Sequence, residues 1–131
     1  MAGFYTLTPC RLADTRDTPG PYGGPALQAG ATRSFVMVGR CGIPAEADAI
    51  AVNVTVTQPT ALGHVIIYPL GVAVPATSTI NYSAGQTRAN NAIVQVGADN
   101  SIAATCGQLS GSTDFIIDVV GYFRFVSPAS P

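Results

Sequence analysis

A chain of 131 residues with 47% apolar side chains has enough material for one self-sufficient core. Charge is sparse and nearly balanced. Six arginines and no lysine face seven acids, 10% of the residues and a net −1, where about 25% charged is usual. That balance excludes a basic face for nucleic acid, and no apolar run approaches the roughly 20 residues of a membrane-spanning helix.

The first expected strand is Gly3–Thr8. The cluster Cys10–Asp17 follows, with four charges, Arg11, Asp14, Arg16 and Asp17. Two guanidiniums there could fork onto a carboxylate or a sugar hydroxyl. The favoured alternative is an internal ion pair between Arg16 and Asp118, because Asp118 interrupts an otherwise apolar strand and a buried carboxylate needs a partner. On that reading Asp118→Ala costs roughly 3 kcal/mol or more. Next comes Asp17–Pro25, whose three prolines and three glycines exclude strand and helix. A long loop of this kind on a rigid scaffold is a place for binding, with Tyr22 as its one aromatic.

Short strands are expected over Thr32–Val38, Ala49–Thr57, His64–Pro69, Ser78–Tyr82, Asn91–Val96, Ser101–Cys106 and Thr113–Phe125. Pro44–Asp48 allows one helical turn at most. In Ala49–Thr57 the alternation is strict: Ile50, Val52, Val54 and Val56 share one side. In Thr113–Phe125 both sides read as apolar, with Phe115, Ile117 and Val119 opposed to Ile116, Val120 and Tyr122. This strand is expected to be central and covered twice. About eight short strands with turn signals roughly every ten residues give an all-β chain, an antiparallel, jelly-roll-like sandwich. One domain over residues 1–126 is expected, with 127–131 a disordered tail or linker. Ala29-Gly30-Ala31-Thr32-Arg33 and Ala84-Gly85-Gln86-Thr87-Arg88 share Ala-Gly-x-Thr-Arg, read either as two related strand entries or as coincidence.

Little chemistry is on offer. The segment Gly85–Asn91 suits carbohydrate through Arg88, Asn90 and Asn91, or equally the closing of strand ends. His64 is the one histidine. It has no Gly-x-Ser-x-Gly elbow for a hydrolase, and no cysteine spacing makes it part of a zinc site with Cys10, Cys41 and Cys106. Asp14/Asp17 and Asp99/Asn100 supply too few oxygens for calcium. No metal, no cofactor and no enzyme activity are expected. The three cysteines form one disulfide, with Cys10–Cys41 the favoured pairing, or all stay reduced and pack as small hydrophobes.

Four motifs carry a family resemblance: Pro9–Arg16 (PCRLADTR), Asn53–Thr60 (NVTVTQPT), Gly85–Asn91 (GQTRANN) and Asp118–Phe123 (DVVGYF). The chain resembles an uncharacterised β-sandwich domain found in large secreted and surface-exposed bacterial proteins, often as a repeated or terminal module beside enzymatic or adhesive domains. The resemblance runs from about Phe4 to Phe123. It implies an extracellular accessory role in display, adhesion or assembly, and carries over no functional residues. The resemblance puts the expected location at the cell surface or exterior. Met1-Ala2-Gly3 has no basic or apolar signal region, so on the residues alone the protein is either intracellular or lacks its export signal in this chain.

The first expectation for function is therefore a non-enzymatic structural or adhesive module that self-associates, with a trimer as the first guess. Low charge and a mean hydropathy of +0.34 point to a surface partly covered by another copy. An assembly held by apolar faces should resist salt, whereas one held by arginine–aspartate pairs should loosen. The alternative is a carbohydrate-binding module that grips cell-surface polysaccharide with the 17–25 loop, Tyr22 and the Arg88/Asn90/Asn91 cluster. The absence of tryptophan counts against it.

Overall fold

A computed structural model describes residues 2–125. The expected tail at 127–131 lies outside the described residues. Among the described residues there are nine strands: β1 (Ala2–Asp14), β2 (Leu27–Gln28), β3 (Thr32–Val36), β4 (Ala49–Thr57), β5 (Gly63–Pro69), β6 (Ile80–Tyr82), β7 (Arg88–Gln95), β8 (Ser101–Gln108) and β9 (Ser112–Phe125). A single 3-10 turn, Ala98–Asn100, leads into β8. Pro44–Asp48 forms turns, and Ala47 N donates to Pro44 O.

Two antiparallel sheets face each other. The large sheet has the order β1-β9-β4-β7, with β2 added beside β9; the small sheet has the order β3-β8-β5-β6. Apart from the two-residue β2, each strand pairs with its counterpart counted from the other end of the chain. β1 pairs with β9, β3 with β8, β4 with β7 and β5 with β6. A long hairpin rolled up in this way is a jelly roll.

Period-two alternation builds the core. Ile50, Val52, Val54 and Val56 of β4 are each 1% exposed or less, and Phe115, Ile117 and Val119 of β9 meet them in the same layer. Phe35, Met37, Val65, Ile67 and Ile102 complete it from the other sheet and the loop after β3. β9 is central, as expected, but it is not covered twice. Its outer face leaves Val120 exposed and Asp118 half-buried. A register break between Ala51 and Val52 also inserts Val120 as an extra residue. Beyond this bulge Tyr122 stands opposite Ile50 and packs on the core, on the other side from the one strict alternation assigns it.

The repeated Ala-Gly-x-Thr-Arg has a structural counterpart. Gly30 and Gly85 take φ of 73° and 74°, the left-handed turn that favours glycine. Two residues later Thr32 and Thr87 each place a hydroxyl on a threonine of the neighbouring strand, Thr105 at 2.6 Å and Thr57 at 2.8 Å. The arginines then diverge, because Arg33 folds over a loop and Arg88 lies exposed.

Candidate functional site

The charged cluster at the end of β1 is an internal network. Arg11 stands directly opposite Asp118 in the β1–β9 register and grips both carboxylate oxygens, Nε to Oδ1 at 2.9 Å and Nη2 to Oδ2 at 3.3 Å. Arg16 does not reach Asp118, which corrects the pairing expected from the sequence. The chain turns at Thr15, so Arg16 folds back on Asp14, with contacts of 2.9 and 2.7 Å and its own backbone N–H at 3.0 Å. Arg11 also lies 3.6 Å from Asp14. The Arg16 hydrogen bonds hold the Asp14 carboxyl below its ordinary range, against the opposing pull of burial. Asp118 raises Arg11, chiefly through its hydrogen bond, and Asp14 raises Arg16 in the same way. Each guanidinium is therefore committed to a carboxylate.

The 15–25 loop is a built structure rather than an open arm. Arg33 donates from Nη1 to Gly23 O (2.7 Å) and Pro25 O (2.8 Å), and from Nη2 to Gly20 O (3.1 Å). Its burial lowers its pKa, with three carbonyl dipoles around the charge. Gly23 and Gly24 are buried against the carbonyls of Thr18, Thr15 and Asp17, where a side chain has no room. Tyr22 is held by its own contacts. Its hydroxyl donates to Val36 O at 2.9 Å, and the Arg40 guanidinium lies 3.8 Å from its ring centre while donating to Leu12 O. One ring face is thus taken, and the side chain is half-buried. Cys10 and Cys41 are joined beside this loop, with their Cα atoms 5.6 Å apart. That bond uses two of the four side chains a Cys3His site would need. Cys106 is buried in β8.

Arg88, Asn90 and Asn91 lie at the opposite edge of the large sheet, on β7. Two strands, β9 and β4, separate it from β1, three spacings or about 14 Å. The structure therefore does not bring Tyr22 and the Arg88/Asn90/Asn91 cluster into one site. Asn90 turns toward the small sheet and donates to Thr79 O at 2.9 Å. Asn91 turns outward beside Asn53, and register continues the row through Asp118 to Arg11.

This row crosses the outer face of the large sheet, against which no other strand packs among the described residues. Below it stand Val120, 39% exposed, and Ile93, 66% exposed, around the small residues Ala51 and Gly121. The Phe4 ring lies over Gly121 and 4.8 Å from the Phe123 ring centre. A polar stripe beside exposed apolar side chains, around an open hollow lined by Ala51, Asn91, Ile93 and Val120, suits contact with another protein surface. His64 sits apart on the small sheet, its ring lying over Gly107. Leu62 and Leu109 flank it from the loop tips at 73% and 103% exposure.

Sequence reasoning singled out Asn90 and Asn91 for their amide groups. It missed that they lie on an open sheet edge. The signal was available: Arg88–Gln95 is eight residues with no proline and one charge. Comparison with known proteins leaves the chain on its own evidence. No family model matches it, and no curated protein matches it significantly.

Proposed function

We propose that this chain is a non-enzymatic structural or adhesive module of the bacterial cell surface or exterior, which works by associating with copies of itself. The observation that carries the reading is the outer face of the large sheet, against which no other described strand packs and where Phe4, Ile93 and Val120 are all exposed. A monomeric soluble protein gains nothing in stability from such a face, and burial against another copy removes it from water. The charges beside it are already paired within the chain. Association is therefore expected to be apolar and backbone-driven, and to persist in high salt. The fold adds only a permissive background, since jelly rolls serve in both assembly and glycan recognition. The proposed location is the one implied by the resemblance of the four motifs to a domain of exported bacterial proteins.

The test is the solution mass by light scattering at two concentrations, at low and high salt. A stable mass of two or more 13.4 kDa chains in both salts supports the reading. A monomer at every concentration overturns it.

A further inference from the structure

We propose that β7 is a self-pairing edge: two copies join β7 to β7, antiparallel about a two-fold axis at Asn91, into one continuous sheet. The inference rests on the self-association reading and names its contact.

An edge strand exposes a row of unpaired N–H and C=O groups, and proteins ordinarily blunt it with proline, bulges, charge or shortness. Three edges of this sandwich are blunted. β1 carries Pro9, two register breaks and the disulfide at Cys10. β6 is three residues long. β3 is five residues long and carries Arg33. β7 is neither short nor interrupted by proline or a bulge, and its one charge, Arg88, stands at its first residue. It pairs with β4 over eight consecutive partners without a break, and among the described residues no other strand is hydrogen-bonded to it along its backbone, β5 and β6 approaching it only from the facing sheet.

The backbone parity can be read directly. Val96 N donates to Asp48 O at 2.9 Å, a bond that flanks a wide pair at Ala49–Gln95. Gln95 therefore turns its backbone groups away from β4. By alternation so do Ile93, Asn91 and Ala89. These are also the residues whose side chains face the open outer side, since Val94 between them is buried. Water satisfies such a row in the free chain, and an added extended strand can take its place.

A second copy fits this edge by its own symmetry. With the axis at Asn91, Asn91 meets Asn91 and the outer-face pairs become Ala89 with Ile93, small apolar against large. The row Arg11–Asp118–Asn53–Asn91 then runs on as its mirror sequence through the second sheet. Moving the axis one residue to Ala92 sets Asn91 against Ile93, amide against hydrocarbon. Charge agrees with the Asn91 axis. Arg88 is the one charge on β7. Antiparallel pairing puts the two copies of it opposite Val94 at far ends, about 20 Å apart along the strand. The product is an isologous dimer, in place of the trimer guessed from the sequence.

The experiment uses Asn91→Lys and Asn91→Asp variants of the full chain, each checked for native circular dichroism and then measured by light scattering alone and mixed. Asn91 is exposed, so neither change touches the core. Like charges at the axis should weaken association about tenfold or more in each variant. The mixture should recover it, because lysine then faces aspartate. Wild-type association that survives in both variants overturns β7 pairing and leaves self-association standing. Two weakened variants that do not rescue each other overturn the Asn91 axis. A wild-type chain that stays monomeric overturns self-association itself and leaves the edge to a foreign strand.

Discussion

Thr15 and Phe115 hold each other by a reciprocal pair of hydrogen bonds. Thr15 N donates to Phe115 O at 3.0 Å, and Phe115 N donates to Thr15 Oγ1 at 2.8 Å. The threonine hydroxyl in turn donates a hydrogen bond to Asp114 Oδ1 at 2.8 Å. A side chain thereby extends the β1–β9 ladder one step past the end of β1, where the loop departs. Thr15→Val preserves the shape and removes the acceptor, leaving a buried N–H unpaired. The expected cost is about 1–3 kcal/mol, read as a fall of several degrees in melting temperature. Thr15→Ser should retain most of the lost stability. Equal destabilisation by both substitutions would mean that the methyl group, rather than the hydroxyl, holds the loop.

Asp14 makes stability depend on acid. Its carboxyl is held below the ordinary carboxylate range, first by the Arg16 side chain and then by the Arg16 backbone N–H, with burial opposing. A group whose folded pKa is depressed adds stability above its unfolded value, and that stability is lost as pH falls through the folded value. The loss therefore begins near pH 4, the ordinary aspartate value, and continues below it. Melting temperature measured from pH 6 down to pH 2 should fall more steeply for the native chain than for Asp14→Asn. Parallel curves would remove Asp14 from the acid response.

The Arg11–Asp118 pair should matter much less than a buried pair. Its geometry is good, but the two side chains are 52% and 25% exposed. Water screens a pair in that position, and exposed pairs contribute about 0.2–1 kcal/mol. Asp118→Ala is thus expected to cost about 1 kcal/mol or less, not the roughly 3 kcal/mol of an interior carboxylate. Thermal unfolding of Asp118→Ala, Arg11→Ala and the double variant gives the coupling directly. A coupling well above 1 kcal/mol would place the pair in a far drier setting than the open face provides.

These charges show where the sequence was readable and where it was not. Alternation in Ala49–Thr57 is a local property, and it placed Ile50, Val52, Val54 and Val56 in the core correctly. The choice of partner for Asp118 is a register property. Register across β1 and β9 passes through two breaks, between Thr6 and Cys10 and between Arg11 and Ala13; Pro9 marks the first, but nothing in the residue pattern gives the size of either shift. The bulge at Val120 is hidden in the same way, and it moved Tyr122 to the core side. Tyr22 looked like a free aromatic in a loop of glycines and prolines. Its ring is fixed by Arg40 and its hydroxyl by Val36, residues 18 and 14 positions away in a loop that Arg33 ties down. Composition marks a segment as a loop, but not which distant arginine orders it.

The cysteines make the last prediction, because the three sit in different places. Cys10 and Cys41 are partly exposed and bonded across a separation of 31 residues. Cys106 is 0% exposed, and burial raises its thiol pKa, with Tyr82 and Gln108 as its polar neighbours. A thiol in that setting is scarcely ionised and out of reach of reagent. The oxidised native protein should therefore take up no label at pH 8, and should take up one after unfolding without reductant. Mild reduction should open Cys10–Cys41 and release two fast thiols while Cys106 stays silent. Loss of this cross-link should lower stability by about 3–4 kcal/mol for a loop of that length, seen as a shift in the urea midpoint. Rapid labelling of Cys106 before any unfolding would mean that β8 opens locally, and that the two sheets part far more easily than a fully buried strand allows.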